Sequence, residues 1–218
     1  MNDTICSVTQ QNTRRVLLSM TKIEEIKTND YQVSIEYDEY AESPRDWGSA
    51  LGTMICWHRR YTLGDKHNFQ EPSDFAEAVS ETDNLILPLY LYDHSGITMN
   101  TTGFSCQWDS GQVGWYYVSY KDIEKEYGAV NDETIQKAKE TLIAEVELYD
   151  TYLRGEVFGY RISKRIYNGE TNDMEYDLLD SCWGFYGDIK NNGILDAIDE
   201  YDKSLGDAMR EKLGVNVA

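Results

Sequence analysis

His94, Cys106 and Asp109 are the residue types of a thiol hydrolase, in which an imidazole takes the thiol proton and a carboxylate orients the ring. They fall in two nearby motifs, YDHSG at 92–96 and WDSG at 108–111, with Cys106 just ahead of the second. Nearness along the chain does not bring side chains together, and no local signature such as CGSCW accompanies the cysteine. Both motifs also serve as polar turns that need glycine for positive φ, and the turn is the commoner use. WHRRY at 57–61 adds two adjacent arginines beside His58, suited to a bidentate grip on phosphate or carboxylate. On a strand, Arg59 and Arg60 would point to opposite faces, so only one could line any single pocket. In so acidic a chain, an arginine paired with a neighbouring carboxylate is the plainer expectation. Arg59, Tyr92, Asp93, His94, Cys106, Trp108 and Asp109 together form a candidate aromatic pocket for a small molecule or nucleotide, as a sponge or a hydrolase.

DIKNNGILDAID at 188–199 echoes a calcium loop, with Asp188 first, Gly193 sixth and Asp196 ninth. Lys190 brings a positive charge to the third ligand position, and Asp199 replaces the bidentate glutamate at the twelfth. A tight turn feeding a helix explains the same letters. The four cysteines match no zinc spacing, and no metal or cofactor is expected. Cys56, Cys106 and Cys182 each lie beside a tryptophan, which predicts buried thiols packed on indoles.

Charge is the strongest signal. Thirty-nine acids face 20 bases, a formal net charge of −19. The excess covers the chain, with 17 acids against 8 bases up to residue 120 and 22 against 12 beyond it. Such a chain binds nucleic acid poorly, because phosphate contacts need lysine and arginine, and is drawn to basic surfaces instead. Two acidic stretches stand out. Glu71, Asp74, Glu77, Glu81 and Asp83 lie in a segment with no lysine or arginine before Lys121. Asp196, Asp199, Glu200 and Asp202 cluster within seven residues, three of them sharing one helical face without intervening lysines. Like charges so placed cost stability, and a row of carboxylates a turn apart approximates a row of phosphates. The plain alternative for either run is a solvated acidic face.

The elements that must position these residues read as α+β. YQVSIEY at 31–37 alternates as a half-buried strand, LGTMICWHRRY at 51–61 reads as a strand buried in its first half, and NLILPLYLYD from 84 as an inner strand whose Pro88 implies a bulge or an edge. QVGWYYVSY at 112–120 has strand composition. Helices are predicted over 71–79, from 120 to a stop at Gly128, over 131–154 and over 194–213, with a hairpin turning near Asn168-Gly169. Early strands and late helices favour a mixed or antiparallel sheet over a doubly wound one. The chain reads as one α+β domain over 1–218, or as that domain with 130–218 as a helical and hairpin subdomain. TGFSCQWDSGQVGWYYVSY at 102–120 reads as a structural centre, in which Phe104, Trp108, Trp115 and Tyr117 are buried and Gly111 or Gly114 meets another backbone.

The first twenty residues hold an apolar run too short for a signal peptide, and LILPLYLY at 85–92 falls far short of the roughly 20 residues that cross a bilayer. A soluble, cytoplasmic protein is expected, without a membrane or nucleic-acid partner; the oligomeric state stays open. GTMICWHRRYTLGD, LPLYLYDHSG, FSCQWDSGQVGWYYVSY and DSCWGFYGD together resemble a family of uncharacterised proteins encoded by bacteriophages and other mobile elements. That resemblance carries no activity and assigns no site. It implies an infected bacterial cell as the setting, where small acidic proteins blunt host defences such as CRISPR or restriction. The sequence thus favours a non-enzymatic inhibitor or adaptor that binds a basic, nucleic-acid-binding host protein, with the aromatic pocket as the alternative.

Overall fold

The computed structural model describes residues 22–215, so the reading of the first twenty residues, and with it Cys6, lies outside the described residues. The chain is α+β, with eight strands in two antiparallel sheets among the described residues. It divides into two compact units, one comprising residues 42–154 and the other residues up to 41 with those from 155 onward.

The central unit holds the sheet β3–β6–β4–β5, formed by β3 (Thr53–Cys56), β4 (Asn84–Asp93), β5 (Ile97–Asn100) and β6 (Ser110–Ser119). β3 is shorter than the predicted 51–61 strand: the chain leaves the sheet after Cys56, and 57–67 form a loop. β5 pairs only with Tyr90–Asp93, so β4 has an open side at Pro88, and a register shift follows at Leu89/Tyr90. An edge is where a residue without an N–H is tolerated. Three helices complete the unit: α1 (Pro72–Ala78), α2 (Tyr120–Tyr127) and α3 (Asp132–Leu153). The Asn131 side chain caps α3 by accepting from Thr134 N, and Gly128 stops α2 at φ 82°. The stripe Ala138, Leu142, Val146 and Tyr149 of α3 packs against Met54, Leu89, Leu91 and Tyr116 of the sheet. Burying such side chains stabilises by about 1.5–3 kcal/mol each before entropy is counted.

The other unit holds the sheet β1–β2–β7–β8, from β1 (Lys22–Lys27), β2 (Tyr31–Tyr37), β7 (Val157–Asn168) and β8 (Asp173–Tyr186). β2 matches its predicted span, because Val33 and Ile35 alternate into the core. The predicted helix over 194–213 is two helices, α4 (Ile194–Tyr201) and α5 (Lys203–Leu213). Asp202 breaks it: its backbone is extended (φ −155°, ψ 111°), and its side chain caps α5 by accepting from Ser204 N. Ile194, Leu195 and Ile198 of α4, with Leu205 and Met209 of α5, cover Val33, Ile35, Tyr160 and Ile162.

Candidate functional site: a cationic basin and an acidic helix

The loop after β3 is pinned at many points. Trp57 N donates to Val113 O (2.8 Å), Gly64 N to the Tyr149 hydroxyl (2.9 Å) and Asp65 N to Met54 O (2.7 Å). Beneath it runs a polar network that sequence reasoning missed. Arg45 donates through Nε to Asp65 Oδ1 (2.9 Å), through Nη2 to Asp65 Oδ2 (2.5 Å) and Gly52 O (3.0 Å), and through Nη1 to the Tyr116 hydroxyl (2.8 Å). Tyr116 in turn donates to Glu145, which also accepts from Leu51 N (2.8 Å). Burial works against the Arg45 charge, but Asp65 and Tyr116 outweigh it and raise its pKa. Burial raises the Tyr116 pKa as well, opposed by Arg45 and assisted by Glu145. Partners at positions 45, 52, 65, 116 and 145 leave no local pattern to read.

The same loop walls an open basin of about 520 Å³, whose lining includes His58, Arg59, Lys66 and His67. Asp65, the acid in that wall, is occupied by Arg45. Arg59 and Lys66 enter no ion pair among the described residues. The two arginines of WHRRY lie on a loop rather than on the expected strand, and Arg59 lines the basin. Arg60, not Arg59, pairs with Asp93. His58 stacks on Tyr61 (5.0 Å between centroids), its Nε2 is 3.8 Å from Asp93 Oδ2, and the Tyr61 hydroxyl lies 3.4 Å from Asp93 Oδ1. Cys56 is buried, and burial, with a smaller push from Asp65, raises its thiol pKa to about 12, so the thiol is neutral and inert.

His94, Cys106 and Asp109 do meet, in the wrong order for catalysis. Cys106 Sγ lies 3.7 Å and His94 Nδ1 3.4 Å from the same oxygen, Asp109 Oδ2. The carboxylate therefore occupies the position a general base would need beside the thiol. Tyr92 joins through ring contacts with His94 (6.2 Å) and Phe104 (5.7 Å). Trp108 is 95% exposed, contrary to the expected buried centre, because its loop precedes β6 and turns the indole outward. The fully buried aromatic of this region is Tyr116, while Trp115 and Tyr117 are half-buried and flank Phe75 of α1. Cys182 is also exposed, because it lies on β8 at the sheet edge, and Cys106 is half-buried, so of the three thiols expected to be buried only Cys56 is.

The two acidic stretches fare differently. Asp196 and Asp199 are gripped by Arg210 of α5, each at 2.7 Å, and the Asp199 carboxylate lies where a side chain at Gly206 would stand. With Asp202 spent as a cap, Glu200 is the member of that cluster left free of such duties. The repulsion expected from that helical face is thus offset by an arginine eleven residues or more along the chain, and the carboxylates join α4 to α5. The echo of a calcium loop is a turn: Asp188 accepts from Lys190 N (3.1 Å) and Asn191 Nδ2 (3.0 Å), and Asn192 from Ile194 N (3.1 Å).

Around α1, Asp74 accepts from Gln70 N (2.8 Å) and Glu71 N (3.0 Å), so it closes the helix start, with Glu71 at the N-cap. Glu77, Glu81 and Asp83 are exposed and enter no ion pair among the described residues. No basic residue sits in the last turn of α1. A carboxylate in the last turn of a helix opposes the macrodipole, so Glu77, the member of this group inside α1, forgoes stability.

No family model, curated protein or solved structure matches the chain. Among the described residues no helix is long and apolar enough to cross a membrane, and no group of three or more His, Cys, Asp or Glu side chains is placed to hold a metal.

Proposed function

We propose that the protein is an acidic inhibitor or adaptor that docks on a basic protein surface which otherwise holds nucleic acid. The observation that carries this reading is unspent charge: Glu77 in the last turn of α1 and Glu81 and Asp83 in the turn that follows are exposed and enter no ion pair among the described residues. Their carboxylates present negative charge to solvent, as the phosphates of a duplex do. A net charge of −19 adds long-range attraction for a cationic partner and repulsion for nucleic acid itself. The resemblance to mobile-element proteins favours a host defence enzyme as that partner. The test offers the protein to a panel of DNA- and RNA-binding enzymes, each holding a fluorescent oligonucleotide. Displacement from one of them, lost in Glu77→Lys/Glu81→Lys/Asp83→Lys, supports the reading. No displacement, or displacement untouched by the reversal, contradicts it.

A second reading is favoured by the basin. Arg59 and Lys66, unpaired in a chain rich in carboxylates, with His58, His67 and Trp57 in the same wall, suit a small aromatic anion such as a nucleotide. Calorimetric titration with nucleotides tests it: binding lost in Arg59→Ala/Lys66→Ala supports it, and no heat with any nucleotide removes it.

A further inference from the structure

The long hairpin of the second unit ends on an edge that no strand pairs with among the described residues. β8 is the terminal strand of its sheet, and β7 is its partner along its whole length. From Asp173 to Tyr186 the strand is almost entirely exposed, including Met174, Tyr176, Leu178, Leu179 and Trp183. Half of the backbone N–H and C=O groups of such an edge point away from its neighbour and can pair with another strand. Proteins commonly blunt a long edge with lysine, proline or a bulge. Here β8 contains no lysine, arginine or proline, and both of its register shifts lie beyond Leu178. Asp173–Leu178, paired without interruption to Ser163–Asn168, forms a regular open stretch.

Side chains along that stretch alternate in kind. Asp173, Glu175 and Asp177 lie on one face, and Met174, Tyr176 and Leu178 on the other. Glu175 is held in place, accepting from Asn168 Nδ2 (2.7 Å) and Thr171 Oγ1 (3.2 Å). On the apolar face, Leu178, Tyr176 and Met174 stand opposite Ser163, Arg165 and Tyr167. A second copy of the chain is a poor occupant. In a two-fold antiparallel pairing directly opposed residues share a face, so acids would meet acids, and like charges so placed destabilise a sheet.

We infer that the β8 edge accepts an extended segment of a partner protein whose side chains alternate basic and apolar, adding a fifth strand to this sheet. Backbone hydrogen bonds supply affinity, while the acidic and apolar faces select lysine or arginine on one side and aliphatic or aromatic residues on the other. This site lies in a different unit from α1 and stands independently of the reading above.

The test uses the full chain and a labelled peptide of alternating lysine and valine, long enough to lie along Asp173–Leu178, followed by fluorescence anisotropy. Three comparisons are expected to weaken binding by about tenfold or more: the same peptide N-methylated at alternate amides, a peptide with its lysines replaced by glutamate, and the variant Glu175→Lys/Asp177→Lys. Because the first two leave the protein unaltered, a folding defect in the variant cannot decide the matter. Equal binding of the N-methylated peptide would overturn strand addition and leave only charge attraction. So would an edge-paired dimer, seen in sedimentation and abolished by Tyr176→Glu, because the edge would then belong to a second copy.

Discussion

Gly114 and Gly111 stand three residues apart on β6, and alanine should separate them sharply. A Cβ at Gly114 would lie 1.8 Å from Ile55 O, 2.8 Å from Ile55 C and 2.9 Å from Cys56 Cα, all backbone atoms of β3. Ordinary carbon–oxygen contact begins at about 3.3 Å, so β3 would have to withdraw by roughly 1.5 Å. A ladder bond near 2.9 Å does not survive that movement. β6 is the strand that holds β3 in the sheet, through the pairs Thr53↔Tyr117 to Cys56↔Gly114. Overpacking costs about 1–3 kcal/mol, and each disrupted ladder bond adds about 1 kcal/mol, so Gly114→Ala should lose about 3 kcal/mol. At Gly111 nothing lies within 4 Å of the added carbon, and its φ is not in the left-handed region. Gly111→Ala should therefore be neutral or gain about 0.5 kcal/mol through the unfolded chain. Urea midpoints at unchanged slope provide the assay. Equal midpoints for the two variants would refute the close approach of β6 to β3.

Asp65→Asn should cost about 3–5 kcal/mol by stranding the Arg45 charge, whose side chain is 6% exposed, and an Arg45→Met/Asp65→Leu double variant should recover much of that in a thermodynamic cycle. In a Cys6→Ser chain, a thiol reagent should label Cys182 rapidly and Cys56 only on unfolding; rapid native labelling of Cys56 would contradict its burial. The folded Cys56 thiol titrates near 12 and the unfolded one near 9.0, so the unfolded chain binds fewer protons in between and stability falls as pH rises. From pH 9 to 10 that loss should total about 1 kcal/mol, and Cys56→Ala should flatten it. Reversing Asp196 and Asp199 to lysine should destabilise the unit by breaking the Arg210 clamp, while Glu77→Lys should stabilise α1 by about 0.3–1 kcal/mol, both read from thermal midpoints.

Much of the fold was legible because it follows local rules. Val33 and Ile35 alternate, Asn131 caps α3, Gly128 stops α2, and NG at 168–169 marks the hairpin. The break at Asp202 was hidden by a strong apolar pattern on both sides, which favours one long helix unless the capping of Ser204 N is recognised. Trp108 misled for a general reason: aromatic content predicts burial, but the loop ahead of β6 decides which ring turns inward. The site was less legible than the fold. Arg59 could be placed near a pocket, yet the basin depends on a loop held by Tyr149 and Arg45, far away in sequence. Whether a carboxylate is free or gripped is likewise non-local. Asp196 and Glu77 look alike in the sequence, and Arg210 decides the difference.

The central claim is that Glu77 of α1, with Glu81 and Asp83 just beyond it, steers this protein onto a cationic surface. Its most direct measurement is the association rate with an enzyme from which the protein displaces an oligonucleotide, taken as a function of ionic strength. For the native chain the account predicts a fast rate that falls steeply with salt, and for Glu77→Lys/Glu81→Lys/Asp83→Lys a slower rate with a shallower dependence and an intact fold. A native rate indifferent to salt, or one that the reversal leaves unchanged, would contradict it.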